Sequence, residues 1–169
     1  HEANISFDSV NFSYVPERRV INNFTLNIAP GKKVALVGST GSGKTTVSNL
    51  LMRFYDTDSG TITINGQDIS GVSRSSLRKR VSIVLQDTSL FTDTVRNNLK
   101  YANENASEAE IMRALEISHC RDFIEKLPDG LDTVLTGAGA NLSQGQRQLL
   151  AIARAFVEDS EILILDEAT

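Results

Sequence analysis

The chain has one cysteine, Cys120, so no disulfide can form within it, a usage that fits a reducing compartment. Nowhere do about 18 apolar residues run together, so no segment reads as a membrane-spanning helix. The opening residues, HEANISFDSV, lack the apolar h-region of a secretory signal. Basic residues never gather into a block of about five or more. The densest cluster, Arg78-Lys79-Arg80, reads as a solvated helix end, and the net charge of −4 speaks against nucleic acid as a partner. No repeat, low-complexity tract or linker breaks the chain. What is present is 40% hydrophobic and 22% charged over 169 residues, the profile of an ordinary globular protein that can bury a core in one domain.

The first thirty residues read as β structure. Ile5 and Phe7, then Val10, Phe12 and Tyr14, alternate with polar residues, and the phase break at Asp8-Ser9 predicts a bulge or turn. Phe24, Leu26 and Ile28 alternate again before Pro30-Gly31. Such half-exposed strands suit an antiparallel sheet. Val34-Ala35-Leu36-Val37 is instead short and continuously apolar, as are Val81 to Leu85 and Ile162 to Leu165. All three are expected to be buried parallel strands. Val47, Leu50, Leu51 and Phe54 fall on one face of a helix. Asn65-Gly66 predicts a hairpin, and Ser107-x-x-Glu110 a capping box ahead of a helix carrying Ile111, Ala114 and Leu115. Gln144 to Val157 is apolar almost all round from Leu149 onward, so it should be a buried helix.

The strongest local signal is Gly38-Ser39-Thr40-Gly41-Ser42-Gly43-Lys44-Thr45, which fits G-x-x-x-x-G-K-[ST]. With Gly at about 7%, and Lys and Ser/Thr taken as about 6% and 12%, a start matches by chance roughly 4 times in 100,000. A strand-like run precedes the loop and a helix-like run follows it. Glycines there let backbone N–H groups close on a phosphate chain, and the following helix turns its positive end to the same place. Lys44 adds a mobile charge for the β- and γ-phosphates, and the Thr45 hydroxyl suits Mg²⁺. Asp166, ending ILILD, places a carboxylate at the carboxyl edge of the sheet, where ligands of open α/β sheets bind. It would hold Mg²⁺ through water. Glu167, next along, would orient or deprotonate an attacking water.

No N/T-K-x-D guanine motif and no Arg-rich lid occur, which argues against a GTPase and a small nucleotide kinase. The chain resembles the nucleotide-binding domain of ABC transporters. The residues that carry the resemblance are GSTGSGKT at 38–45, Gln86 ending VSIVLQ, LSQGQ at 142–146 and ILILDEAT at 162–169. The segments FSY, VALVG, LLMRFYD, SGTITINGQDI and LPDGLDT look most like exporter half-transporters, including bacterial multidrug and lipid exporters. The resemblance implies an α/β P-loop NTPase (RecA-like) fold: a parallel-sheet core, an N-terminal antiparallel β lobe and a helical lobe. It implies a single domain over residues 1–169, C-terminally incomplete. The β lobe would take about residues 1–30 and 61–70, the helical lobe about 89–148, and the core the remainder.

The resemblance also assigns roles. ATP and Mg²⁺ are the expected cofactors. Tyr14 matches the aromatic that stacks on adenine, which needs only a π-face. Residues 38–45 with Thr46 match the phosphate contacts, and Gln86 bridges Mg²⁺ and the surface facing the membrane domains. Residues 87–98 would then feel the transporter's coupling helices. Leu142, Ser143, Gln144, Gly145 and Gln146 form the signature loop, serving ATP held by a second such domain in an isologous pair. Ser143 can donate a hydroxyl to a γ-phosphate, and it is also a plain helix N-cap candidate. Expected partners are that second domain and the transporter's transmembrane domains. The expected place is the cytoplasmic side of a membrane, in a bacterial cell.

Three departures from the family stand out. Gln144 replaces the first Gly of the usual LSGGQ, which implies a weaker composite site, as in an exporter with unequal ATP sites. Residues 136–140 lack the acidic residue that exporters carry before the signature, which puts coupling through that loop in question. The family continues past the position of Thr169 into a dimer-contact loop and a switch histidine, and His119 lies too early to be that residue. The 169 residues alone are therefore expected to bind ATP poorly and not to hydrolyse it at a family-like rate. Two other readings compete. A soluble ABC-type ATPase of the DNA-repair kind needs sustained heptads between loop and signature, and none occur. A non-hydrolysing nucleotide module is disfavoured by Glu167.

Overall fold

Alternation places Ile5 and Phe7 on the buried face of the first strand, and one extra residue is needed to put Val10 and Phe12 there too. The computed structural model, which describes residues 3–39, 41–85 and 89–166, supplies it as a β-bulge. Strand β1 (Ile5–Val15) pairs antiparallel with β2 (Arg18–Ile28), and the register shifts between Phe7 and Val10. Ser9 takes a left-handed φ of 52° there, and its N–H donates to Thr25 Oγ1 at 3.0 Å. Strand β3 (Ser59–Ile64) pairs antiparallel with β1 on its other side. Gly60 (φ +82°) faces the bulge, where a Cβ would lie 2.4 Å from the Ser9 carbonyl oxygen. Only glycine fits there. Asn65 and Gly66, with φ of 51° and 76°, turn β3 into β4 (Gln67–Asp68) as a two-residue hairpin.

The chain divides into two compact units, His1–Val81 and Ser82–Thr169. The first unit holds the sheet β2-β1-β3-β4, helix α1 (Lys44–Leu51) and helix α2 (Arg74–Arg78). Its core gathers Phe7, Val10, Ile62, Ile64, Leu50 and Leu77. Helix α1 stops earlier than the apolar spacing predicts. Arg53 (φ 52°) is its left-handed terminator, with Arg53 N–H bonded to Leu50 O and Phe54 N–H to Asn49 O, a Schellman closure. Arg53 holds that unusual backbone because its guanidinium donates to the Ile69 and Val72 carbonyls at 3.2 and 2.7 Å. Phe54 is left half-exposed, with the Arg78 guanidinium 4.8 Å from its ring centre.

Val34-Ala35-Leu36-Val37 forms no strand, against the expectation from its apolar run. Val37 is 94% exposed. A strand exists through its ladder, and no described residue pairs with this run. Apolarity sets the wish to be buried, not the partner.

Strand β5 (Val81–Val84), which starts at the last residue of the first unit, pairs with β6 (Ile162–Leu165). The Asp166 N–H donates to the Val84 carbonyl at 2.9 Å, so their carboxyl ends lie side by side and the pair is parallel. Around α6 (Gln144–Val157) pack α3 (Val95–Lys100) and α4 (Glu108–Ile117), with α5 (Arg121–Glu125) against α4. One side of α6 gives Leu150, Ala153 and Val157 to a core with Leu99, Ile111, Leu115 and Leu135, while Ala151 and Ala155 meet Val84. Burial on two sides explains why the helix is apolar almost all round. The expected capping box of α4 is present, and His119 (φ 58°) is the left-handed residue that ends that helix.

Candidate functional site

The phosphate loop lies in the first unit. Gly43 caps α1 with φ 94°, and a Cβ there would come within 2.9 Å of Ile21 Cδ1 and 3.3 Å of the Val20 carbonyl oxygen. Both the left-handed backbone and the close approach of β2 require glycine. Gly41 (φ 81°) turns the loop, and at Gly38 a Cβ would collide with Ser42 Oγ at 2.4 Å. The Ser42 N–H donates to the Ser39 carbonyl at 3.0 Å. Lys44 opens α1 and its Nζ donates to the Gly38 carbonyl, so the ammonium lies over the loop. No acidic residue occupies the first turn of α1, and the helix end keeps its positive field. Thr45 is exposed, its hydroxyl available to a hard cation. Thr40 lies outside the described residues.

Tyr14 comes to the same helix. Its hydroxyl is 3.0 Å from Thr46 Oγ1 and accepts from Asn49 Nδ2 at 3.3 Å. Phe12 and Tyr55 stand nearly perpendicular to the ring, at 4.8 and 5.0 Å between centres. The ring is 46% exposed, and neither neighbour stacks flat upon it. Sequence reasoning missed Asn49. Its spacing of three from Thr46 was the available signal, since such pairs share a helix face.

The signature lies in the second unit. Ser143 is the N-cap of α6, with its Oγ accepting from Gln146 N–H at 3.1 Å and its N–H donating to Gln146 Oε1 at 3.0 Å. Gln146 is thus the closing half of a capping box. Gln144 and Gly145 occupy the first helical positions, where N–H groups have no intrahelical acceptor. Both are exposed, and the space a Cβ would take at Gly145 is open. The Ser143 hydroxyl still has its own proton to donate outward. Leu142 is a buried core residue that anchors the turn.

Arg147, which sequence reasoning passed over, braces this turn by donating to the Gly139 and Leu142 carbonyls at 3.4 and 3.3 Å. Before it, Gly137, Ala138 and Gly139 are all left-handed, with φ of 50°, 58° and 88°. The Ala140 N–H closes that turn on Thr136 O at 2.8 Å.

Asp166 stands half-buried at the carboxyl end of β6, as its place in ILILD predicts. Gln86 and Glu167 lie outside the described residues. Downstream of Gln86, the segment Ser89–Asn98 is organised by Asn98, which is 1% exposed. Its Oδ1 accepts from Phe91 N–H at 2.7 Å, and its Nδ2 donates to the Phe91 and Thr94 carbonyls at 3.0 and 2.9 Å. Phe91 and Tyr101 form an exposed aromatic pair with centres 4.4 Å apart. The Arg154 guanidinium lies 5.8 Å from the Phe91 ring centre, and burial pulls its pKa below the usual arginine value. Cys120 is fully buried in the helical core, and that burial pushes its thiol upward. Among the described residues no three His, Cys, Asp or Glu side chains converge on a metal position.

Residues 21–169 match the family model described as ABC transporter. The chain is 48% identical, over 98% of its length, to an ATP-dependent lipid A-core flippase of Desulfotalea psychrophila. It is equally 48% identical, over 98% of its length, to a fatty acid ABC transporter ATP-binding/permease protein of Mycobacterium bovis. It spans only 29% and 26% of those two relatives. A solved bacterial Atm1-family ABC exporter with ATP bound superposes with a TM-score of 0.84 at 42% identity, over 99% of this chain and 30% of that one.

Proposed function

The chain belongs to the ABC transporter family, and from that premise we propose that it is the nucleotide-binding domain with which an exporter hydrolyses ATP to drive its substrate out. The phosphate loop carries this reading. Gly41 and Gly43 hold left-handed backbone that glycine adopts freely, a Cβ at Gly43 would crowd β2, and Lys44 lies over the loop at the positive end of α1. The likeness to an exporter with ATP bound supports it. Tyr14 offers an exposed ring for adenine at the same helix. The second unit offers Ser143 and the two free N–H groups of Gln144 and Gly145 to the ATP of a partner domain. No described helix is long and apolar enough to cross a membrane. Membrane spans are proposed to lie in the remainder of a half-transporter.

The oxygen donors fit Mg²⁺, which takes one or two protein oxygens and completes its shell with phosphate and water. The family resemblance assigns Thr45, Gln86 and Asp166 to it, and it would neutralise charge on the β- and γ-phosphates. Lys44 steadies the γ-phosphate, and Glu167 aligns water for in-line attack. The full-length protein in lipid is expected to release phosphate from ATP steadily, and EDTA is expected to stop it. Turnover that is indifferent to EDTA would overturn the assignment.

Gln144 puts an exposed side chain at the first turn of α6, where a γ-phosphate would approach. We propose that this weakens the composite site, consistent with unequal ATP sites. Gln144→Gly should raise turnover about 2- to 10-fold, the span of one hydrogen bond made or lost. Phosphate-release kinetics check it, and an unchanged rate removes Gln144 as the cause of asymmetry.

A further inference from the structure

Thr46 directly follows Thr45 in the phosphate loop, and its position alone assigns it to phosphate. Its side chain also reaches an aromatic ring on β1. It is 5% exposed, and its Oγ1 lies 3.0 Å from the Tyr14 hydroxyl. Asn49, on the same face of α1, reaches that hydroxyl at 3.3 Å. The three groups are mutually satisfied when Asn49 donates to the Tyr14 oxygen and the phenol proton goes to Thr46 Oγ1. Tyr14 lies in the paired end of β1, between Ser13 and Val15, which pair with Arg19 and Arg18, so the backbone is fixed and the ring turns only about its own side-chain bonds. Phe12 and Tyr55 flank the ring nearly at right angles and restrict it laterally. The hydroxyl ties its far end to α1.

We propose that Thr46 and Asn49 are positioning residues for the adenine-stacking ring of Tyr14, so that α1 fixes the base platform as well as the phosphate end. The gain is preorganisation: a ring already held in place loses less freedom when a base stacks on it. This rests on the ATP reading above.

The test uses the full-length protein and two probes, a non-hydrolysable ATP analogue and magnesium tripolyphosphate, which has no base. Thr46→Val keeps the volume and removes the hydroxyl. It is expected to weaken the analogue about 3- to 10-fold, the effect of one hydrogen bond. Since Thr46 is also assigned to the phosphate contacts, the base-selective comparison is made at Tyr14. Tyr14→Phe should weaken the analogue about 3- to 10-fold with tripolyphosphate moving less than about twofold, and the double variant should be no weaker toward the analogue than Thr46→Val alone, because both break one bond. Thr46→Ser should restore affinity. The proposal fails if Tyr14→Phe leaves analogue binding unchanged, weakens both probes equally, or adds to Thr46→Val. Should Thr46→Val not fold, Tyr14→Phe and Asn49→Ala break the same network from its exposed side and are read by the same criteria. Tyr14→Ala separates the two levels. If it leaves analogue affinity unchanged, base stacking itself is wrong. If it weakens the analogue while the hydroxyl variants do not, only the positioning role is wrong.

Discussion

Lys44→Ala is expected to lower steady ATP turnover of the full-length protein by about 100- to 1,000-fold, the usual effect of removing one group aimed at developing charge. Lys44 is the first residue of α1, and its ammonium lies on the Gly38 carbonyl, over the loop. The charge is thus poised where the phosphates would be cradled before any ligand arrives. The change should spare the fold. The cap of α1 at Gly43 uses no side-chain hydrogen bond, and the glycine geometry that shapes the loop does not involve the Lys44 side chain. Unfolding midpoints of the two proteins should therefore agree while phosphate release separates them. Lys44→Arg should recover little, since a planar fork does not replace a compact point charge in a loop this close. Turnover within about fivefold of the parent, a loss of only about 1 kcal/mol, would remove this loop from the mechanism.

Asn98→Ala is expected to destabilise the second unit by about 3–4 kcal/mol. The side chain is 1% exposed and supplies the acceptor for Phe91 N–H and a donor for the Phe91 and Thr94 carbonyls. Truncation leaves the part-buried Phe91 N–H without its partner, at about 1–3 kcal/mol, and removes two further bonds and packed volume. Urea denaturation measures the loss, and the Phe91 amide should lose protection from hydrogen exchange. Asn97, its neighbour on α3, is the control. It is exposed, its amide reaches only Asp93 Oδ1 at 2.9 Å, and Asn97→Ala should stay within about 0.5 kcal/mol. Equal effects at the two positions would show that Asn98 does not organise the segment that follows Gln86.

Local rules carried much of the sequence reading. The bulge at Ser9, the Asn65-Gly66 turn, the box at Ser107–Glu110 and the cap at Ser143 are all present. Each depends on residues close in the chain, where backbone sterics and nearby hydrogen bonds decide the outcome. The glycine-rich turn at 38–45 was legible for the same reason, because Gly41 and Gly43 answer to local backbone demands. Val34–Val37 was misread as a strand because pairing is not local. Phe54 was assigned to a helix that Arg53 ends, and Arg53 does so through carbonyls at Ile69 and Val72.

The sequence by itself thus determined the family and the order of the motifs, since those reside in residue types at fixed short spacings. Tertiary structure decided which groups those residues meet. It turned the Thr46 hydroxyl to Tyr14, set Arg147 under the signature turn and made Asn98 the hub of the segment after Gln86. Such contacts join side chains to groups on other turns, loops and strands, and each is settled by packing and by the need to satisfy buried polar groups, neither of which a short spacing encodes.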